Sequence, residues 1–499
     1  MKKLFKIINF FLIIFTIVLT LFAVKNHTGN PFYYLSFSIV VNLFFIYSLN
    51  KDRLFFEIYF ATFVWLGFWF KYTLSLIFLD GIIYDSGPPS NIINIDQALL
   101  VSMVAISGLF LSYFLRRKFF VIKSIKQNNF SFFEKFYLKN KKIILFFFLI
   151  IFLLIAFLNF NLSIYQKGFI YDHNISTIYV NIVKWMLLFG LTTFSTFFIY
   201  TEIFRVKKIS ILTTLVVFFE IFVSYSSMLS RSVILNLSAI TFSFTKFLSL
   251  IKDKIKFFFG LFILILAMFF INNYFSNHYR IDYAIKIGKY EEAKKKYDKE
   301  IKEQLLKKNS ENNTIVQFKV SNDPTVKPDP INMSSFVVIN RWSGIDSMLA
   351  VVSSNKLSFD LFFQSLKEKK IISKKTFYET TFKLDLDGGK EVRFGENRIL
   401  KGNTLPGIIS FLFYSGNYYF LFFSIILLTL FFCWFEIICV KISNNNMIFS
   451  SFISYMIAFR LSNFGYAPAD SYLYILSIIG SITLMFFLSN YKNSFFNLK

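Results

Sequence analysis

Four arginines stand beside apolar runs at positions where a membrane-embedded chain gains little from positive charge. They are Arg231 in MLSRSVIL, Arg341 in NRWSGIDSM, Arg460 at the start of RLSNFGYAPADSY, and Arg280 in NHYR. A guanidinium forks onto two oxygens and stays charged at any working pH, so such residues suit a phosphate or pyrophosphate group. Each also has a plainer reading. Arg231 can snorkel to headgroups, Arg341 can pair with Asp346 along a helix, and Arg460 can anchor a helix end at the interface. A general base for a hydroxyl acceptor would have to be His, Asp or Glu. His278, close to Arg280, is the best placed of the three histidines, His27, His173 and His278, and Asp346 and Asp470 are the comparable carboxylates. An ordinary surface histidine is the alternative for His278.

Other charged residues fall inside apolar runs. Lys71, Lys184, Glu220 and Lys246 are costly in hydrocarbon and are therefore functional candidates, Lys71 and Lys184 as additions to a cationic pocket. Glu220 is equally compatible with a hydrogen bond or ion pair inside the bundle. Arg393 and Arg398 read as solvated. The Asp385 and Asp387 pair could hold a metal, but its place beside Gly388 and Gly389 reads as a turn. There is no P-loop, G-x-G-x-x-G, H-E-x-x-H or CxxC, so ATP hydrolysis, dinucleotide chemistry and zinc proteolysis lack support. Neither a cofactor nor a metal is expected.

The elements that must position these residues are helices in a membrane. Of 499 residues 55% are hydrophobic and 73 are phenylalanine, with a mean hydropathy of +0.55, more than a soluble core can hide. Apolar runs of about 18 residues recur, long enough to cross a hydrocarbon core as helices. Twelve spans are expected, at 4–24, 32–49, 54–79, 97–115, 143–160, 178–201, 210–228, 232–250, 257–275, 416–440, 447–464 and 471–489. The opening MKKLFKIINFFLIIFTIVLTLFAVK reads as an uncleaved first span, because no A-x-A site follows. Two cysteines inside one run, Cys433 and Cys439, support neither a disulfide framework nor a zinc site.

The net charge of +25 does not point to nucleic acid, because the lysines are spread along the chain and gather in alternate connections. With both termini cytoplasmic, the inside segments carry about two dozen Lys and Arg, whereas the outside loop DGIIYDSGPPSNIINID carries none. That orientation puts Arg231 on the outer face. The chain divides into residues 1–275 with nine spans, a large extracytoplasmic loop at 276–407, and residues 408–499 with three spans. The loop opens on a charged helix, KYEEAKKKYDKEIKEQLLKK, with acid and base at i,i+4 spacing. It continues through an amphipathic stretch, SSFVVINRWSGIDSMLAVV, and a hairpin, FKLDLDGGKEVRF. It returns through NTLPGIISFLFYSG, a short interfacial helix with Asn403 or Thr404 as cap and Pro406 in its first turn.

This plan resembles the oligosaccharide repeat-unit polymerases, the Wzy-type O-antigen polymerases, and more loosely the O-antigen ligases. The local match is the Ser-Arg turn of MLSRSVIL, with NRWSGIDS and FGYAPADSYL as weaker echoes; the paired arginine-and-glycine loop motifs of some polymerases do not occur at their usual spacing. The resemblance implies an all-α, GT-C-like polytopic membrane fold in a bacterial inner membrane. It implies a metal-independent enzyme acting on a polyprenyl-pyrophosphate-linked oligosaccharide. Arginines would steady the pyrophosphate leaving group and a base would activate the acceptor sugar hydroxyl. Membrane lipid and a chain-length regulator protein are the further partners it implies. A lipid-linked sugar flippase is the alternative from a different class. A structural membrane component that anchors a partner through the charged helix is another.

Overall fold

In a computed structural model, the described residues are 2–49, 53–78, 81, 83, 93–119, 130–167, 169–171, 176–230, 232–250, 254–286, 342–369, 376–382, 392–393, 398–400, 405–465 and 468–491. The side chains of Arg280 and Asp470 are not among those described, nor are Arg231 and Arg341. The charged helix at 290–308, Asp385 and Asp387, His173, and the two proposed caps Asn403 and Thr404 also lie outside the described residues.

Helices α1 (Lys2–Val24), α2 (Pro31–Ser48), α3 (Phe55–Phe78), α4 (Ile93–Phe119), α5 (Phe132–Lys139), α6 (Lys141–Leu162), α7 (Thr177–Val206), α8 (Ile211–Ser227), α9 (Val233–Ser243) and α10 (Lys254–Lys286) form the first part. The short helices α11 (Ile345–Val352), α12 (Phe359–Leu366), α13 (Phe377–Phe382) and α14 (Gly407–Leu412) follow. The long helices α15 (Tyr418–Ile442), α16 (Met447–Ser462) and α17 (Tyr472–Asn490) complete the fold. The protein is a multi-pass membrane protein: among the described residues, eight helices are long and apolar enough to cross a membrane, and four more apolar helices are shorter. All twelve apolar segments read from the sequence are helical, with ends within a few residues of those expected except at α10, which continues past 275 to Lys286.

Local chemistry explains several of these boundaries. Asn30 accepts from the Phe32 N–H ahead of Pro31, so α2 begins with a side-chain cap and a proline in its first turn. Ser131 and Glu134 form a reciprocal capping box on α5. The N-terminus of α3 is capped from another helix: Glu436 of α15 accepts the N–H groups of Phe55 at 2.9 Å and Phe56 at 2.7 Å. Glu57 in turn holds Arg116 of α4, so one end of the bundle is tied by buried carboxylates. Glu202 and Glu134 extend this, pairing with Lys141 at 2.9 Å and Arg205 at 2.8 Å. We call this the basic end. At the opposite end, the loop end, lie the turns after α1, α6, α8 and α16 and the short helices α11 to α14.

Two expectations for the large loop change. The described part of the amphipathic stretch, α11, is buried at all eight residues, because it packs between α4, α14 and the middle of α3 and offers no face to water. The helix around Pro406 is not interfacial either. All six residues of α14 are buried, Pro406 is itself the N-cap, and Gly407 at φ +72° meets the Ser462 carbonyl of α16. The hairpin read around Gly388 and Gly389 lies outside the described residues except for Phe382 and Val392–Arg393. Val392–Arg393 pairs antiparallel with Arg398–Leu400, and Phe169–Tyr171 joins as a third strand across Leu400 to Arg398.

The closest approach between α11 and the bundle is backbone to backbone. Residues Trp65–Phe70 of α3 form a π-helical turn, and a Cβ at Gly67 within it would collide with the Ser343 carbonyl oxygen. Gly67→Ala should therefore displace α11 and sharply lower the yield of folded protein in detergent. Gly260→Ala, on α10 with nothing within 4 Å, should be neutral or stabilising by about 0.5–1 kcal/mol through helix propensity. Thermal melting of the two purified variants checks the contrast; equal melting temperatures would mean that the contact does not hold α11.

Candidate functional site

At the loop end, four segments that the sequence set far apart line a cavity of about 240 Å3. Phe63 of α3, Leu235 of α9, Trp342 and Ser343 ahead of α11, and Phe459, Ser462 and Asn463 at the end of α16 line it. Three of the arginines are close to lining residues in the sequence. Arg341 adjoins Trp342, Arg460 adjoins Phe459, and Arg231 lies one turn's length before Leu235. A narrow void of about 20 Å3 shares Phe63, Ser343 and Ser462 with it and is walled by Gly344, Pro406 and Gly407.

The turn that carries Arg231 is pinned on both flanks. Leu229 takes a left-handed conformation at φ +50°, uncommon for a residue with a side chain, and the Ser230 N–H closes the turn onto the Tyr225 carbonyl at 2.9 Å. Asn272 of α10 donates to the Ser230 carbonyl at 2.7 Å and accepts from the Ser226 hydroxyl at 2.9 Å. From the other side, the Lys167 N–H donates to the Met228 carbonyl at 2.9 Å and its ammonium to the Ser232 hydroxyl at 3.0 Å. Asn159 fastens this strap by donating to the Ser227 and Tyr165 carbonyls at 3.0 and 3.1 Å. The turn is thus held at Ser227, Met228, Ser230 and Ser232 by side chains and backbone of α6, the connection after it, and α10.

Beside it, three cations face three tyrosine rings. Lys184 lies 5.0 Å from the Tyr165 ring, Lys167 5.1 Å from Tyr225, and Arg460 5.6 Å from Tyr474. Burial pushes the Tyr165 phenol up to about 12, with Arg460 pulling the other way. A cavity with hydroxyl and amide groups in its lining can hold an oxygen-rich ligand. Lys167 and the three tyrosines were not singled out from the sequence; nothing in local spacing marks them, since they come from the connection after α6 and from helices α8 and α17.

The base candidates separate in space. Asp346, on α11, is nearly buried and ion-paired with Lys71 of α3 at 3.1 Å; it also accepts the Gly344 N–H at 3.0 Å. Lys71 donates in addition to the Trp342 carbonyl at 2.9 Å, so the lysine expected to enlarge a cationic pocket fastens the cavity wall. His278 is exposed on α10 and stacks on Tyr274 at 5.8 Å. Asp470 lies in the short 3-10 turn Pro468–Ser471. Glu220 accepts from the hydroxyls of Ser195 at 3.0 Å and Ser224 at 3.1 Å within the bundle, and Lys246 sits over Phe55 near the basic end. No group of three or more His, Cys, Asp or Glu among the described residues could hold a metal ion.

His27, in the connection between α1 and α2, forms a separate buried cluster. Its Nδ1 lies 2.7 Å from the Tyr72 hydroxyl and its Nε2 3.4 Å from Asp96, which also accepts the Asn30 N–H. Burial lowers the imidazole below its usual value, and Asp96 offsets this only in part.

Compared with known proteins, the chain matches no family model, no curated protein and no solved structure.

Two measurements follow from these contacts. Lys71→Met leaves the Asp346 carboxylate unpaired and should cost roughly 3–5 kcal/mol, most of it recovered in Lys71→Met/Asp346→Asn, where an amide oxygen still accepts from Gly344. Melting of the single and double variants decides this, and equal loss in both would exclude the pairing as the cause. For His27 the lowered folded value means that the unfolded chain binds more protons. Its contribution is complete above pH 6.5 and declines as pH falls through the folded value. Melting temperature in detergent should therefore drop below pH 6.5, and His27→Gln should flatten that limb.

Proposed function

We infer that the protein is a membrane glycan transferase that joins polyprenyl-pyrophosphate-linked oligosaccharide repeat units into a surface polysaccharide, in the manner of the Wzy-type polymerases its plan resembles. The observation that carries this reading is the 240 Å3 cavity lined by Trp342, Phe459 and Leu235, the first two next to Arg341 and Arg460 in the sequence and the third four positions after Arg231. An anionic diphosphate leaving group needs charge already in place where negative charge develops, and arginines supply it without metal. The hydroxyl and amide lining suits a sugar. On this reading the loop end faces outward from the inner membrane, both termini are cytoplasmic, twelve helices cross, and the segment 276–407 steers the glycan. Donor binding belongs to Arg231, Arg341, Arg460 and Arg280. Proton abstraction belongs to His278 or Asp470, because Asp346 is committed to Lys71 in the ground state and can serve only if that pair opens.

Transfer to a different acceptor, as in the O-antigen ligases, uses the same donor chemistry. Transport of the lipid-linked sugar is the second reading, and Glu220 favours it. A carboxylate buried within the bundle among hydroxyls is a form that proton-coupled carriers also use.

Arg231 gives the separating experiment, read as the length distribution of surface polysaccharide in cells with matched membrane levels of each variant. Arg231→Ala should leave mainly single repeats, since one charge-assisted contact to a developing anion is worth roughly a hundredfold or more in rate. Arg231→Lys, with a point charge in place of a fork, should give shortened chains. Full-length chains with Arg231→Ala would overturn the donor-site assignment. Loss of chains with Glu220→Gln, with Arg231 variants silent, would move the reading to transport.

A further inference from the structure

An apolar groove of about 510 Å3 begins at the basic end, away from the cavity at the loop end, and is independent of the glycan reading. Ile143, Phe147 and Ile151 of α6 form one wall, and Met186, Leu191 and Phe194 of α7 the other. Its floor is Phe148 against Phe198, with ring centres 5.2 Å apart. The α6 wall is open to the surroundings: Ile143 is 59% exposed and Phe147 58%. In a membrane-spanning helix those surroundings are lipid. Asn140 is the single polar residue of the lining, at the mouth.

Length and charge narrow the occupant. Asn140 to Ile151 is eleven residues, or about 16 Å of helix at 1.5 Å per residue, roughly half of a 30 Å hydrocarbon core. The groove thus ends near the middle of the bilayer, the reach of a chain from one leaflet. Lys135, Lys139 and Lys142 are exposed and adjoin the lining residues Phe136, Asn140 and Ile143. The two nearby carboxylates, Glu134 and Glu202, are already held by Arg205 and Lys141, so they do not neutralise these lysines. Basic clusters at the mouths of grooves between membrane helices suit anionic headgroups.

We propose that this groove binds one acyl chain of an anionic glycerophospholipid whose headgroup rests on Lys135, Lys139 and Lys142. A polyprenyl chain, long enough to cross both leaflets, fits a half-depth groove poorly.

The test uses the full chain in detergent, exchanged with equal amounts of phosphatidylglycerol and phosphatidylethanolamine, with retained lipid counted by native mass spectrometry. Phosphatidylglycerol should be retained preferentially. Lys135→Gln/Lys139→Gln/Lys142→Gln, all at exposed positions, should reduce that preference by at least about tenfold, as expected for three lysines at a headgroup. Ile143→Trp/Ile151→Trp, which fills the groove from its open wall, should lower retention of both lipids. Equal retention of the two lipids by the unaltered protein would overturn the proposal. So would unchanged retention in both variants, or displacement of phosphatidylglycerol by an equimolar polyprenyl phosphate.

Discussion

A lysine ammonium buried in a helix bundle has to meet an anion, and the ion pair of Lys71 with Asp346 is the contact on which the loop end depends. Water cannot solvate the charge there, so the partner must come from the chain. It comes from 275 residues away, on the buried helix α11. By also taking the Trp342 carbonyl, Lys71 draws the start of α11 against α3. The glycine contact between Gly67 and the Ser343–Gly344 backbone permits this approach, and the π-helical turn widens α3 at that point. The cavity beside Trp342 and Ser343 exists because these contacts hold one wall while α16 forms another.

The same rule governs the basic end, with the charges reversed. There the buried groups are carboxylates, and each is given donors: Glu436 by the opening N–H groups of α3, Glu57 by Arg116, Glu134 by Arg205, and Glu202 by Lys141, Tyr137 and Thr213. Burial and the adjacent Glu202 raise the Tyr137 phenol, which keeps it a donor. Replacing such pairs by apolar residues need not cost stability, so their value here lies in registering helices against one another. The bundle is thereby tied at one end by side-chain charge and at the other by an ion pair and close backbone contact. The proposed site lies at the second end, where four chain segments meet.

How much of that site was legible varied by residue. Arg231, Arg341 and Arg460 were conspicuous, because a charge beside an apolar run is improbable without a reason, and the lining brings their neighbours to one cavity. Lys71 was equally conspicuous, but its role is to fasten α11. An isolated charge in a sequence declares that a partner exists without saying which. Lys167, Tyr165, Asn159 and Asn272 were silent, since each acts through a carbonyl or a hydroxyl of a distant turn, and such hydrogen bonds impose no pattern on the residues around them.

Sequence by itself determined that the chain is a helical, multi-pass membrane protein and where its apolar helices begin and end. Hydrocarbon imposes a length of about twenty apolar residues on anything that crosses it, and that constraint is local and can be read in order. The tertiary structure alone decided what the segments between the helices do. By composition, IDSMLAVV and GIISFL look amphipathic or interfacial. They become buried walls because Lys71, Gly67 and Ser462 wait at matching positions on helices far away in the chain. Burial of a short helix depends on the surface presented to it, and that surface does not exist until the long helices have packed.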